Sequence, residues 1–224
     1  MKLAIRRVSR IVDKINILIP FKGLRNSKTR LSKILSENER RKLALNMFEI
    51  VLKASKESSA DSVTIIGGGL SSSKIASEFG VDWVDPGYEE LNADFMHVMN
   101  NKMDKGFSCV YVPADLPFIK GSDIDFVINA SQSCSNIVLV PSIGDGGTSC
   151  MFIPRKFHFE SRLGSDSFMN HLKEAEKQEL NVSIVTSLEL GLDLDTEADL
   201  NICEKYDPGF TIRLSESLIC HGDC

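Results

Sequence analysis

Three groups of side chains in this sequence could do chemistry together. The first is a set of cations, Lys22, Arg25, Lys28 and Arg30, crowded into nine residues after an apolar run that ends at Pro20. A loop carrying that much positive charge is suited to a ligand with several negative charges, and a nucleoside triphosphate fits best. Such cations could neutralise a triphosphate and meet the charge moving onto a leaving pyrophosphate. The second group is acidic. Asp115 stands between Pro113 and Pro117, which fix the loop around it. Asp193 and Asp195 follow in GLDLDTEADL. If residues 191–195 are extended, Leu192 and Leu194 share one face and the two aspartates share the other. Carboxylates so close repel unless a cation sits near them. Mg²⁺ takes one or two carboxylates and completes its octahedron with phosphates and water, so Asp115, Asp193 and Asp195 fit it as a set. The third group is neutral: Gly146, Gly147 and Thr148 in PSIGDGGTSCMFIP, and Gly164, Ser165 and Ser167 in RLGSDSFMNHL. Glycines let backbone approach a ligand closely. A serine-opened helix N-terminus favours an anion, which suits a small phosphorylated acid.

Each group has a plainer explanation. A lone lysine in a loop is usually solvated, an Asp after a strand is often a turn former, and Ser165 or Ser167 could simply cap a helix. Thr196 with Asp199 resembles a capping box, which accounts for one member of the acidic segment but not for the Asp193 and Asp195 pair. GxxxxGK[ST] is absent, so the cationic loop is not a P-loop. His97, His158, His171 and His221 are scattered, with no legible Ser/His/Asp or Cys/His arrangement. A phosphate monoester, already largely dianionic at neutral pH, needs no such activation to act as a nucleophile.

The elements that must position these groups alternate along the chain. Short apolar strands are expected at 15–19, 62–66, 81–84, 108–112, 136–140, 149–153 and 181–185. Helices are expected at 37–56, 72–79, 89–103, 123–131, 165–179 and 196–205. Gly and Pro clusters mark most junctions. This βαβ rhythm predicts a three-layer α/β/α fold with a mainly parallel mixed sheet covered on both faces. Ligands then bind outside the carboxyl ends of the strands, near a topological switch point, so the polar residues around the strand ends are the ones that could form one site.

The 224 residues are enough for one substantial core. Residues 1–14 read as a basic extension, 15–206 as the folded domain and 207–224 as a tail or docking segment. Residues 1–42 hold 13 Lys/Arg against 3 Asp/Glu, while the remaining 182 hold 13 against 28. With no interleaved aromatics, this basic end argues for phosphate at one site and against nucleic acid. No apolar run approaches a membrane span and no secretory h-region is present, so a cytoplasmic protein is expected. Cys109, Cys134 and Cys150 read as small core residues. Cys220, His221 and Cys224 could ligate a metal, but two thiols and one His on a polar tail argue against it.

Six stretches occur in order: IPFKGLRNSKTRLS, DPGYEELNAD, VPADLPFI, VPSIGDGGTSCMFI, LGSDSF and LDLDTEADL. Together, over about residues 15–203, they resemble the 2-phospho-L-lactate guanylyltransferase family of deazaflavin coenzyme F-420 biosynthesis. The resemblance implies a nucleotidyltransferase fold of the nucleotide-diphospho-sugar transferase type. It also implies transfer of GMP from GTP to a three-carbon phospho-acid, with release of pyrophosphate. Lys22, Lys28 and Arg30 match the triphosphate-facing motif, and Asn92 a Leu-Asn motif near the nucleotide. Asp115, Asp193 and Asp195 match the metal carboxylates, and Thr148, Gly164 and Ser167 match positions around the phospho-acid. The acceptor stays open among 2-phospho-L-lactate, phosphoenolpyruvate and 3-phosphoglycerate. The oligomeric state also stays open, a homodimer included. Competing readings are a nucleotidyltransferase acting on a sugar phosphate or molybdopterin, and a non-catalytic nucleotide-binding protein of the same fold.

Overall fold

The computed structural model describes residues 13–24, 27–88 and 90–220. Seven strands alternate with helices: β1 (Lys14–Pro20), α1 (Glu37–Glu57), β2 (Ser62–Ile66), α2 (Gly69–Phe79), β3 (Asp82–Val84), α3 (Leu91–Asp104), β4 (Phe107–Tyr111), α4 (Gly121–Ala130), β5 (Ile137–Pro141), β6 (Thr148–Ile153), α5 (Ser167–Lys177), β7 (Val182–Ile184), α6 (Leu188–Gly191), α7 (Glu197–Tyr206) and α8 (Phe210–Cys220). They form one sheet in the order β3-β2-β1-β4-β6-β5-β7. Every pairing is parallel except those of β6, which runs antiparallel to both β4 and β5.

Alternation along the strands builds two cores. Ile15, Ile17 and Ile19 of β1 point to the face that also receives Phe48, Val51 and Leu52 of α1 and Ile124 and Val127 of α4. Leu18 points to the opposite face, with Phe95, Val98 and Met99 of α3 and Ala175 of α5. β5 and β6 alternate in the same way, with Val138, Val140, Cys150 and Phe152 on the first face and Ile137, Leu139, Met151 and Ile153 on the second. A sheet buried on both sides needs such continuously apolar strands. α1 starts at a capping box, in which the Ser36 and Glu39 side chains each meet the other residue's backbone N–H. Its Phe48 stacks on Phe21 at 4.1 Å between centroids, which ties the helix to the end of β1.

The expected helices and strands are present with shifted ends. The helix expected from 165 begins at Ser167, because Gly164 (φ 130°) and Asp166 (φ 59°) hold the preceding turn in left-handed backbone. Residues 207–220 do not trail: α8 packs Phe210 against Phe118 at 5.3 Å. Phe210 and Leu214 join a third cluster with Leu31, Leu43, Met47, Leu192 and Leu194. Residues 1–12, with most of the basic extension, and His221 to Cys224 lie outside the described residues. Among the described residues no helix is long and apolar enough to cross a membrane.

Candidate active site

The chain runs from β1 outward to β2 and β3, then returns to add β4 on the other side of β1, so the switch point lies between β1 and β4. The loops leaving those two strands carry the lysines and Asp115. Antiparallel β6 reverses the geometry beside them. Met151 pairs with Tyr111, the last residue of β4, so the start of β6, Thr148, projects past the carboxyl end of β4. The 193–195 segment reaches the same place because the Leu194 N–H donates to the Asp115 carbonyl at 3.2 Å. Leu192 and Leu194 are buried while Asp193 and Asp195 face outward, as the alternation in the sequence requires. Thr196 caps α7 in a reciprocal box with Asp199, which leaves both aspartates free for other work.

One carboxylate oxygen from each of Asp115, Asp193 and Asp195 lies within 4.8 Å of the other two. Lys28 enters this cluster. Its Nζ donates to Asp115 Oδ2 at 2.8 Å and to Asp195 Oδ1 at 2.6 Å, and its side chain is only 7 % exposed. Burial alone would release the lysine's proton, but Asp115 and Asp195 outweigh it and hold the ammonium above its ordinary range. Lys28 itself adopts left-handed backbone (φ 50°), a conformation that costs a non-glycine residue on the order of 1 kcal/mol or more. Arg30 is exposed and reaches Asp195 only at 3.9 Å. Arg25 lies outside the described residues.

The cluster fits a divalent cation better than it fits Lys28 alone. Asp115 Oδ1 is buried without a hydrogen-bond partner, a state that costs about 1–3 kcal/mol and that a cation would relieve. Asp193 is pushed up to about 6 by burial and then by Asp115 and Asp195, although Ser142 Oγ donates to it at 3.1 Å. The three carboxylates are thus short of positive charge, and all are oxygen donors of the kind a hard cation takes.

Two cavities meet on this cluster. The larger, about 430 Å³, is lined by Phe21, Lys22, Gly23, Lys28, Asp115 and Asp195 among others. The smaller, about 190 Å³, is lined by Asp115, Ser142, Asp145, Thr148, Gly164 and Asp193 among others. Leu91, Tyr111, Pro113 and Asp115 belong to both walls. No lysine or arginine lines the smaller one among the described residues. Its roof is two loops drawn tightly together. A Cβ on Gly147 would stand 2.7 Å from Asp145 Oδ1 and 3.2 Å from the Gly164 carbonyl, so any larger residue would have to push the two loops or the Asp145 side chain aside. The Asp166 and Phe168 N–H groups donate to the Asp145 and Gly146 carbonyls.

The residues expected from sequence separate accordingly. Lys22, Lys28, Asp115 and Asp195 line the larger cavity, and Asp115, Asp193, Thr148 and Gly164 the smaller. Ser167 is buried, its Oγ accepting from the Thr148 N–H at 2.7 Å, whereas Ser165 is exposed in the turn and lines neither cavity. Asn92, matched by the resemblance to the nucleotide, spends its amide elsewhere: it accepts from the Leu163 N–H at 2.7 Å and donates to the Leu163 carbonyl at 3.1 Å. It therefore clamps the loop that carries Gly164. Sequence reasoning missed Ser142, Asp145 and His171. For His171 a signal existed, because Ser167, His171 and Ala175 recur every four residues on the buried face of α5, and two of the three are polar.

Comparison with known proteins bears on the family and the fold. The family described as "Guanylyl transferase CofC like" matches residues 15–204. The 2-phospho-L-lactate guanylyltransferase of Methanocaldococcus jannaschii is 30 % identical over 187 residues, covering 84 % of this chain and 81 % of that one. The phosphoenolpyruvate guanylyltransferase of Roseiflexus castenholzii is 29 % identical, covering 87 % and 89 %. Among solved structures, a putative nucleotide-diphospho-sugar transferase from Desulfovibrio desulfuricans superposes with a TM-score of 0.74 over 95 % of this chain and 99 % of that one. At 16 % identity, that match speaks to the fold. The chain belongs to the CofC-like guanylyl transferase family and is a nucleotidyltransferase enzyme.

Proposed function

We propose that the protein transfers GMP from GTP to the phosphate of a three-carbon phospho-acid, either 2-phospho-L-lactate, phosphoenolpyruvate or 3-phosphoglycerate, releasing pyrophosphate for deazaflavin coenzyme F-420 biosynthesis. The observation that carries this reading is the pair of cavities meeting on Asp115, one with lysines in its wall and one lined, among the described residues, by no lysine or arginine. A triphosphate suits the first. The second is too small for a nucleoside and offers hydroxyls, a glycine turn and carboxylates, which suits a small acid brought in beside a metal.

Asp115, Asp193 and Asp195 would hold Mg²⁺, which when bound neutralises the phosphates of both substrates and polarises the phosphorus under attack. Lys22, Lys28 and Arg30 meet the negative charge that builds on the departing pyrophosphate. Thr148 and the 164–167 turn hold the acid so that its phosphate oxygen attacks the α-phosphorus in line. The bond to the bridging oxygen breaks as the new phosphorus–oxygen bond forms. No general base is needed because the nucleophile is already ionised. Catalysis reduces to positioning and fixed charge.

The test is pyrophosphate release from purified protein with Mg²⁺, GTP and each of the three acids in turn. Release with one acid identifies the acceptor. Silence with all three in folded protein rejects the proposal and directs attention to sugar phosphates.

A further inference from the structure

His171 is buried, 1 % exposed, and lies behind the wall of the smaller cavity. Its two ring nitrogens have different partners. Nε2 lies 3.0 Å from the Arg162 backbone nitrogen, which can only donate, so Nε2 must present its lone pair. Nδ1 lies 2.8 Å from Thr148 Oγ1. An imidazole has one N–H when neutral. With Nε2 accepting, that proton sits on Nδ1, and Thr148 Oγ1 must be the acceptor. An imidazolium would set an N–H against the Arg162 N–H, so the ring is neutral, and burial pushes its pKa down to about 4 in keeping with this.

The consequence falls on Thr148. A hydroxyl has one proton to give, and this one receives at its oxygen from His171. Among the described residues Thr148 Oγ1 has no other partner, and Thr148 lines the smaller cavity. Its own proton is therefore available to an acceptor other than His171, and the cavity that Thr148 lines is where a ligand could supply one. A freely rotating hydroxyl could greet an acceptor or a donor alike, whereas one fixed in this way greets acceptors only.

Resting on the functional reading above, we propose that His171 is a positioning residue. As its Nδ1–H tautomer it orients the Thr148 hydroxyl to donate into the acceptor cavity, which selects an oxyanion-bearing acid and excludes donor-bearing occupants. His171 touches no reacting atom; it acts only through Thr148.

Two variants isolate the claim. His171→Phe keeps the ring volume and removes the polar contacts to Thr148, Arg162 and Ser161. His171→Asn also loses the acceptor for Arg162 but restores an N–H donor near the Nδ1 position, so the difference between them reports the bond to Thr148. We expect His171→Phe to raise KM for the phospho-acid by about tenfold, the scale of one misdirected hydrogen bond, with KM for GTP unchanged. His171→Asn should recover most of that loss. In a Thr148→Val background His171→Phe should add nothing further. Equal changes in both KM values, or additivity with Thr148→Val, would reduce His171 to a packed core histidine and overturn the proposal. Long-range ¹⁵N spectra of histidine-labelled wild type at pH 7.5 read the tautomer without any turnover, with His171 assigned by its loss in the Phe variant. A protonated Nδ1 beside a bare Nε2 supports the proposal, and an Nε2–H or imidazolium signal overturns it alone. Absence of turnover on every acid in wild type overturns both this proposal and the function it rests on.

Discussion

The two cavities share Asp115 but handle charge in opposite ways. The nucleotide-sized one is framed by the purely parallel half of the sheet and brings in its own cations, Lys22 and Lys28. The acid-sized one is framed by the start of antiparallel β6 and by the loop carrying Leu163 and Gly164, and it has carboxylates, hydroxyls and backbone in its wall. An anion entering the first meets fixed positive charge. An anion entering the second meets Asp145 and Asp193 and would be repelled unless a cation came with it. On the function proposed above, metal would precede or accompany the acid, whereas the nucleotide has lysines to meet it in either case. On that proposal one carboxylate cluster would serve two substrates, since Asp115 lines both cavities.

The largest effect should come from breaking that shared wall. Asp115→Asn is expected to keep the fold, with an unchanged circular dichroism spectrum, and to lower pyrophosphate release by about 10³-fold or more, the scale of one lost electrostatic contact at a reacting phosphate. Near wild-type turnover would remove Asp115 from the mechanism. Next comes Lys28→Met, which takes a cation out of the wall of the nucleotide half. The value of kcat/KM for GTP should fall by about 10²-fold while KM for the acid moves little. Without Lys28 the carboxylates lose their only buried partner cation among the described residues. The metal-free variant should therefore melt lower, and added Mg²⁺ should raise its Tm by more than it raises that of wild type. Equal Mg²⁺ responses would show that Lys28 and the metal do not compete for Asp115 and Asp195.

How much of this was visible in the residue order differs between the halves. On the nucleotide side and in the carboxylate cluster, chemistry and sequence coincide: cations follow a buried strand, Asp115 sits between prolines, and Asp193 and Asp195 alternate with two leucines. Each local pattern carries its own constraint, so strand alternation and loop chemistry could be read together. The acceptor side depends on contacts across long separations. Thr148 meets His171 over 23 residues, and Asn92 meets Leu163 over 71. Nothing local in DPGYEELNADF says that an amide will clamp a distant loop, and the resemblance sent Asn92 toward the nucleotide. Nor does composition say that Lys28 will sit between two aspartates, because that pairing exists only once β1 and β4 are neighbours and the 193–195 segment hydrogen-bonds to Asp115.

Asn92→Ala separates these two placements. Losing both bonds to Leu163 should loosen the Gly164 turn and raise KM for the acid by about tenfold, with KM for GTP unchanged. A rise in KM for GTP alone would return Asn92 to the nucleotide, where the resemblance puts it.

The smallest expected effect, and the one that sets the halves most directly against each other, is on stability as pH falls. His171 is held at about 4, below the ordinary value of 6.5. Between those values the unfolded chain takes up a proton that the folded chain refuses, so stability is full above about 6.5 and declines toward pH 4, by no more than about 3 kcal/mol. Asp193 does the reverse. Its carboxyl is raised to about 6, so between the ordinary carboxylate range and 6 the folded chain holds the extra proton, and stability there grows as pH falls. The acceptor half thus weakens with acid while the carboxylate cluster strengthens. Urea midpoints at pH 7.5 and 5.0 should show His171→Asn losing the downward trend and Asp193→Asn steepening it. Saturating Mg²⁺ should act on wild type as Asp193→Asn does, because a carboxylate held by a cation no longer takes up a proton at pH 5. A wild-type pH slope insensitive to Mg²⁺ would mean that Asp193 is not among the residues that hold the metal.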